Sequence, residues 1–214
     1  MVRIPLFPLQ TVFFPGETVP LHVFEERYKQ LIADCRAEAL TFGIPVYINQ
    51  SLAHGTEVQL RDVVNTYADG SMDVVCVARQ VFEVVSFEPV MDERLYPGGE
   101  VRFLEPDNPA PAELTEAVLK ACQRLYELMD VPFGPIKREV FNSFTLAHKM
   151  GLSLQQEYSL LQIPDETRRL HFVLNHLEET SRVLEELNRT RERIEMNGHF
   201  RNFDPLDFKD YHLQ

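Results

Sequence analysis

The chain has 214 residues, of which 44% are hydrophobic and 25% charged, with a net charge of −12. That balance fits a globular protein with room for one broad core or two small lobes. It excludes a helical membrane protein, because no apolar run approaches a bilayer span, and it disfavours a nucleic-acid partner, because an acidic surface repels phosphates.

The acidity is uneven. Residues 1–110 carry 8 basic and 16 acidic side chains, and residues 111–214 carry 13 and 17. The start of the chain lacks the basic segment, apolar stretch and small-residue cleavage site of a signal peptide. Cys35, Cys76 and Cys122 are widely spaced and odd in number, and each lies in an apolar periodic segment. Buried free thiols in a reducing compartment are expected, with the cytoplasm as the location. No CxxC or HxxxH pair seeds a metal site, so no metal is expected.

The opening, IPLFPLQTVFFPGETVPLHVFEERYKQLI at residues 4–32, predicts a strand, a corner, a second extended segment and a helix. Pro5, Pro8 and Pro15 lack a backbone donor and punctuate the extended parts. Pro15-Gly16 is a turn pair. From Glu25 the period becomes helical, with Tyr28, Leu31, Ile32 and Cys35 on one face. Residues 41–49 (TFGIPVYIN) read as a strand that Pro45 confines to an edge or bulge. Residues 57–67 and 71–77 read as a hairpin around Asp69-Gly70, the pair that a tight primed turn prefers. Residues 81–87 (VFEVVSF) and 100–104 (EVRFL) supply two further strands. About six short strands with one early helix predict a small closed or half-closed barrel.

Residues 105–112 (EPDNPAPA) form a stiff, proline-rich corner. Everything after it reads as helical. Leu114, Val118, Ala121, Cys122, Leu125 and Leu128 make one apolar stripe. Val140, Phe141, Phe144, Ala147 and Met150 make a second, ended by Gly151. Ser153 and Gln156 form a capping box for a short third helix to about Leu161. Pro164-Asp165 opens a fourth that runs to about Met196. Along it, Leu170, Val173, Leu177, Leu184, Leu187 and Ile194 repeat at heptad-like spacing, interrupted by Thr180 and Arg191. Packing against the other helices explains such a seam, and an intermolecular coiled coil is the alternative.

The stretches IPLFPLQTVFFPGETVPLHVFEERY and HGTEVQLRDVVNTYADGSMDVVCVARQVFEVVSF, with the closing IPDETRRLHFVLNHLEE, resemble the N-terminal domain of Lon-type ATP-dependent proteases. The likeness covers most of residues 3–195. It implies an α+β fold, a PUA-like β-barrel lobe (1–110) followed by a helical bundle lobe (111–196) with a long C-terminal helix. It also implies a substrate-recognition role and a contribution to assembly. At 214 residues the chain has no room for the ATPase and protease modules, so a stand-alone relative is expected, a peptidase S16-like domain by family name alone.

Nothing in the sequence marks a catalytic centre. There is no GxxxxGK[ST], GxGxxG or GxSxG segment. His171 and His176 are five residues apart and do not share a helical face. Ser143 and Lys149 could form a Ser-Lys dyad only with an oxyanion hole, and no strained-turn context supplies one. The expectation is therefore no catalytic residue, no cofactor and no metal. The favoured function is a non-catalytic module that binds unfolded or exposed apolar polypeptide, as an adaptor or quality-control factor, with homo-oligomerisation as an added option. A small hydrolase with an unrecognised site is the alternative from a different class.

Residues 197–214 (NGHFRNFDPLDFKDYHLQ) lie beyond the family likeness. Phe200, Phe203, Phe208 and Tyr211 alternate with charges and are the candidate partner contacts. They are expected to dock on their own domain or in a groove on a second copy. Truncation after Asn197 is then expected to leave the protein folded and to raise its binding of an unfolded client or a hydrophobic dye. Unchanged binding with unchanged stability, or loss of folding, contradicts this expectation.

Overall fold

The computed structural model describes residues 1–105, 109–134, 136 and 141–199. Six strands form one sheet: β1 (Val2–Pro5), β2 (Thr18–Val23), β3 (Thr41–Pro45), β4 (His54–Thr66), β5 (Met72–Val84) and β6 (Gly98–Phe103). The order is β1-β6-β5-β4-β3, every named pair is antiparallel, and β2 lies off this path on β5. The long β5 is the spine. It pairs with β4 along its length, with β2 over Met72–Val77 and with β6 over Phe82–Val84.

The sheet closes through the segment after β1. Leu6 bridges Gly43 and Leu9 bridges Val46 in parallel. Phe7 N donates to Gly43 O at 2.8 Å, Leu9 N to Pro45 O at 3.2 Å, and Tyr47 N to Leu9 O at 2.7 Å. Pro5 and Pro45 donate nothing here, so the seam is short and sits at the barrel rim. Gly55 is essential to close packing beneath it. A Cβ there would lie 2.4 Å from Ile44 O and 2.5 Å from Pro45 Cα, both backbone atoms that cannot swing aside.

Helix α1 (Glu26–Glu38) covers one side of the barrel. Its buried face is Tyr28, Leu31, Ile32 and Cys35, as the period of 3.6 predicts. These side chains join Phe7, Phe42, Val58, Val74 and Cys76 in one apolar cluster. All three cysteines are free and buried, and burial pushes each thiol up to about 12.

Three expectations about strands change. Residues 71–77 and 81–87 are not separate strands but one, β5, which ends at Val84. The polar Arg79-Gln80 pair looks like a break. In fact the strand runs on through a β-bulge, with Ala78 paired to Val58 and Val81 to Thr56 so that one extra residue is absorbed at Arg79-Gln80, and the Arg79 guanidinium bonds the Gln59 side chain. The β4–β5 connection is not the primed turn expected at Asp69-Gly70. Tyr67 N donates to Ser71 O, Gly70 N to Tyr67 O, and Gly70 takes φ 78°. Asp69 is not left-handed and instead accepts from Ser71 N at 3.0 Å. Strand β3 stops at Pro45, four residues before the expected end.

The remaining helices are α2 (Ala112–Leu128), α3 (Leu154–Gln162) and α4 (Glu166–His199). The capping box at α3 is present, with Gln156 N donating to Ser153 Oγ and Ser153 N to Gln156 Oε1. The second expected helix is absent from the described part of 140–150, where turns lead into one 3-10 turn at Ala147–Lys149. Side chains outcompete the helix there. Asn142 Oδ1 accepts from Phe144 N at 2.9 Å and Thr145 N at 3.1 Å, while Ser143 N donates to Glu166 at 2.7 Å. Phe144, Ala147 and Met150 are nonetheless buried. The apolar stripe is a core stripe without being an α-helix.

One core cluster joins sheet and helices. Val12, Phe14, Val46 and Val81 pack with Val118, Cys122, Leu125, Leu161, Leu170 and Leu177. Phe14 stacks on Phe144 at 5.1 Å. His148 ties the same junction electrostatically: Nδ1 lies 2.7 Å from Glu157 of α3 and Nε2 lies 3.2 Å from Glu17 at the Pro15-Gly16 corner. Hydrogen bonding to the Glu17 carboxylate, aided by Glu157, raises the His148 pKa to about 9. The folded value exceeds the ordinary 6.5, so this contribution is fully present below pH 6.5 and is lost as pH rises through 9. In urea unfolding, the native protein is therefore expected to exceed His148→Gln in stability at pH 6, with the gap closing by pH 10. A gap that stays constant or widens with pH contradicts the assignment.

Candidate functional site

The residues that sequence reasoning considered for chemistry are held in structural roles. Ser143 is buried, and its Oγ donates to Glu166 Oε2 at 2.7 Å while accepting from Arg169 Nε at 3.0 Å. Arg169 also donates to Ile163 O at 2.7 Å and lies 4.6 Å over the Phe144 ring. Breaking such a buried charge network typically costs about 3–5 kcal/mol, so its role is to fix the start of α4. Lys149 is exposed and is not part of this network. His171 Nδ1 faces Thr167 O, whereas His176 Nε2 faces Met150 O, so the structure does not bring the two together. Among the described residues no group of three His, Cys, Asp or Glu side chains could hold a metal. The candidate contacts Phe200, Phe203, Phe208 and Tyr211 lie outside the described residues.

The barrel rim offers a different kind of site, a cleft of about 500 Å³ at the closing seam. Four segments build it. The strand-like run after β1 brings Pro8, Leu9 and Gln10. Tyr47 follows β3, two residues past Pro45. Phe87, Pro89 and Pro97 come from the excursion between β5 and β6. Arg27 and Tyr28 come from the first turn of α1. The seam bonds place Leu9 and Tyr47 side by side, because Tyr47 N donates to Leu9 O.

The cleft combines a rigid floor with accessible walls. Tyr28 is 4% exposed and stacks on Phe7 with centroids 3.7 Å apart. The Arg27 guanidinium lies 4.6 Å above the Tyr28 ring and is held from behind by Glu25, whose Oε2 accepts from Arg27 Nε at 2.8 Å. Tyr47 is 42% exposed and Phe87 40%, so two aromatic rings remain available to a ligand. Glu88 sits between Phe87 and Pro89, yet its carboxylate is drawn to Arg3 at 2.6 Å, and Asp92 follows it at 2.9 Å. No carboxylate lines the cleft, although the chain carries −12 overall. Prolines, aromatic faces and one arginine are the chemistry of stacking on an extended polypeptide. No Ser, Thr, Cys, His, Lys, Asp or Glu side chain lines the cleft.

A second cleft of about 470 Å³ lies between the barrel and the helices, near Val81, Leu104, Phe144 and Ile163. Of the charged groups that line it, Glu57 accepts from Thr41 at 2.6 Å, Arg79 bonds the Gln59 side chain and Arg169 belongs to the Ser143 network. The rim cleft could have been suspected from the proline spacing at 8, 89 and 97, but four distant segments meet there and only the seam reveals it.

The family described as the ATP-dependent protease La (LON) substrate-binding domain matches residues 3–195. Lon protease of Flavobacterium johnsoniae is 27% identical over 180 residues, covering 76% of this chain and 22% of that protein. The chain thus spans about a fifth of the length of that relative. A crystal structure of a Lon N-terminal domain protein from Xanthomonas campestris is 30% identical with a TM-score of 0.64, covering 82% of this chain and 98% of the other. The N-terminal domain of Mycobacterium avium complex Lon protease shares the fold, at 18% identity and a TM-score of 0.62 over 83% and 98% of the two chains.

Proposed function

The chain belongs to the Lon substrate-binding domain family, and from that premise we propose that its rim cleft captures exposed apolar polypeptide segments without cleaving them. The observation that supports the reading is the carboxylate-free wall of Tyr47, Phe87 and three prolines, with Arg27 at its edge. An unfolded segment carries aromatic and aliphatic side chains on a backbone that accepts an extended path, and such a wall stacks on them without demanding one sequence. In this reading residues 1–110 form the recognition lobe and residues 111–196 a supporting helical lobe. The role is that of an adaptor or quality-control factor.

Net charge of −12 favours polypeptide over nucleic acid as the ligand. Among the described residues no helix is long and apolar enough to cross a membrane. Three reduced, buried thiols accord with action in the cytoplasm.

The test is a binding titration with a permanently unfolded polypeptide, such as carboxymethylated lactalbumin. The double variant Tyr47→Ala/Phe87→Ala removes two partly exposed rings without touching the buried Phe7–Tyr28 stack. It is expected to weaken binding at least tenfold, about 1.4 kcal/mol, while the fold and the client polypeptide stay intact. Equal affinity of the native and variant proteins contradicts the site. Time-dependent fragmentation of the client contradicts the non-catalytic role.

A further inference from the structure

We infer that the rim cleft is matched to an acidic, aromatic segment and that its occupant is residues 203–208 (Phe-Asp-Pro-Leu-Asp-Phe) of a second copy of this chain. The inference rests on the reading of the cleft as a polypeptide site and names its ligand.

Charge decides where such a segment can bind. Asp204 and Asp207 bring two carboxylates to a protein that already carries −12. Most of its surface repels them. The rim cleft does so least, because no carboxylate lines it and the nearby Glu88 and Asp92 both pair with Arg3. Arg27 adds a cation at its edge, with Glu25 occupying only one side of the guanidinium fork. The apolar groups match as well. Pro205 biases Asp204 to an extended conformation. Phe203 and Phe208 are apolar rings of the kind that stack on the ring and proline surfaces of Tyr47, Phe87 and Pro97.

The long helix decides which copy supplies the segment. Leu170, Val173 and Leu177 of α4 are buried, and Asn188 Nδ2 donates to Leu128 O at the end of α2. Every residue from 189 to 196 is exposed. The helix therefore leaves the body of the protein and carries residue 199 about 16 Å beyond Asn188. Phe203 is only four steps along the chain from His199, a reach of at most about 14 Å. The end of α4 therefore lies away from the body of its own chain, which favours a neighbouring copy as the acceptor. Ile194 and Met196, 65% and 60% exposed on this projecting part, give the neighbour a second, apolar contact. The contact is heterologous, pairing one surface with a different one.

Replacing Phe208 by photoreactive benzoylphenylalanine in the 214-residue chain tests the assignment. Irradiation is expected to give a covalent dimer whose cross-linked peptides contain Tyr47, Phe87 or Pro97. The yield is expected to fall at least tenfold in Arg27→Glu and in Tyr47→Ala/Phe87→Ala, each checked for an unchanged fold. Cross-links within one chain, cross-links to the helices, or no dimer at micromolar protein overturn the inference. Excess unfolded polypeptide separates the two readings. If the dimer forms through the cleft yet client does not compete, the capture function fails and the occupant stands. If cross-links miss the cleft while Tyr47→Ala/Phe87→Ala still loses client, the occupant fails and the function stands.

Discussion

The short parallel seam between the segment after β1 and the end of β3 is the constraint on which the rest depends. Two bridges, Leu6 with Gly43 and Leu9 with Val46, turn a six-stranded sheet into a barrel. Phe7, held between them, faces inward and stacks on Tyr28, which sets where the first turn of α1 must sit. The same seam sets Leu9 beside Tyr47 and so creates the rim cleft. Prolines at 5 and 45 keep the seam short, since each lacks a donor on the side of the strand that faces it. A longer seam would pair the edge and bury the cleft. The weakness of the closure is thus what leaves a binding surface open.

Charge is organised around that surface. Acidic residues dominate the chain, yet those nearest the cleft are turned aside by arginines, Glu88 and Asp92 by Arg3 and Glu25 by Arg27. Such exposed pairs add little stability, about 0–1 kcal/mol each. Their effect is to shape the field around aromatic rings and prolines. The helical part contributes differently. It anchors the barrel through Phe14, Phe144 and the His148 bridge. It then sends α4 out past α2, so that a seam that begins as core ends as exposed surface.

Much of this was legible from residue order, and the exceptions have physical causes. The face of α1, the capping box at Ser153 and the start of α4 follow from local rules acting on adjacent residues, and they appear where periodicity places them. The two-residue turn at Asp69-Gly70 did not, because the Asp69 side chain bonds Ser71 and holds Asp69 out of the left-handed region. The helix expected over 140–150 yielded to Asn142 and to Glu166, a partner more than twenty residues away that no window contains. The heptad-like seam, interrupted at Thr180 in the sequence, divides near that point by burial, with Leu177 buried and Leu187 exposed. The cleft itself is assembled from four separated segments, each unremarkable alone. Sequence could mark its prolines as punctuation, whereas their convergence is a property of the closed barrel.

The most direct test of the central claim, that the barrel seam carries the polypeptide site, is amide chemical-shift mapping of the isotope-labelled protein during titration with an unfolded polypeptide. The account predicts the largest saturable shifts at Leu9, Gln10, Arg27, Tyr28, Tyr47 and Phe87, with α2 and the first half of α4 unmoved. Shifts confined to the helices or to the β4–β5 loop, with the seam amides unchanged at saturation, would contradict it.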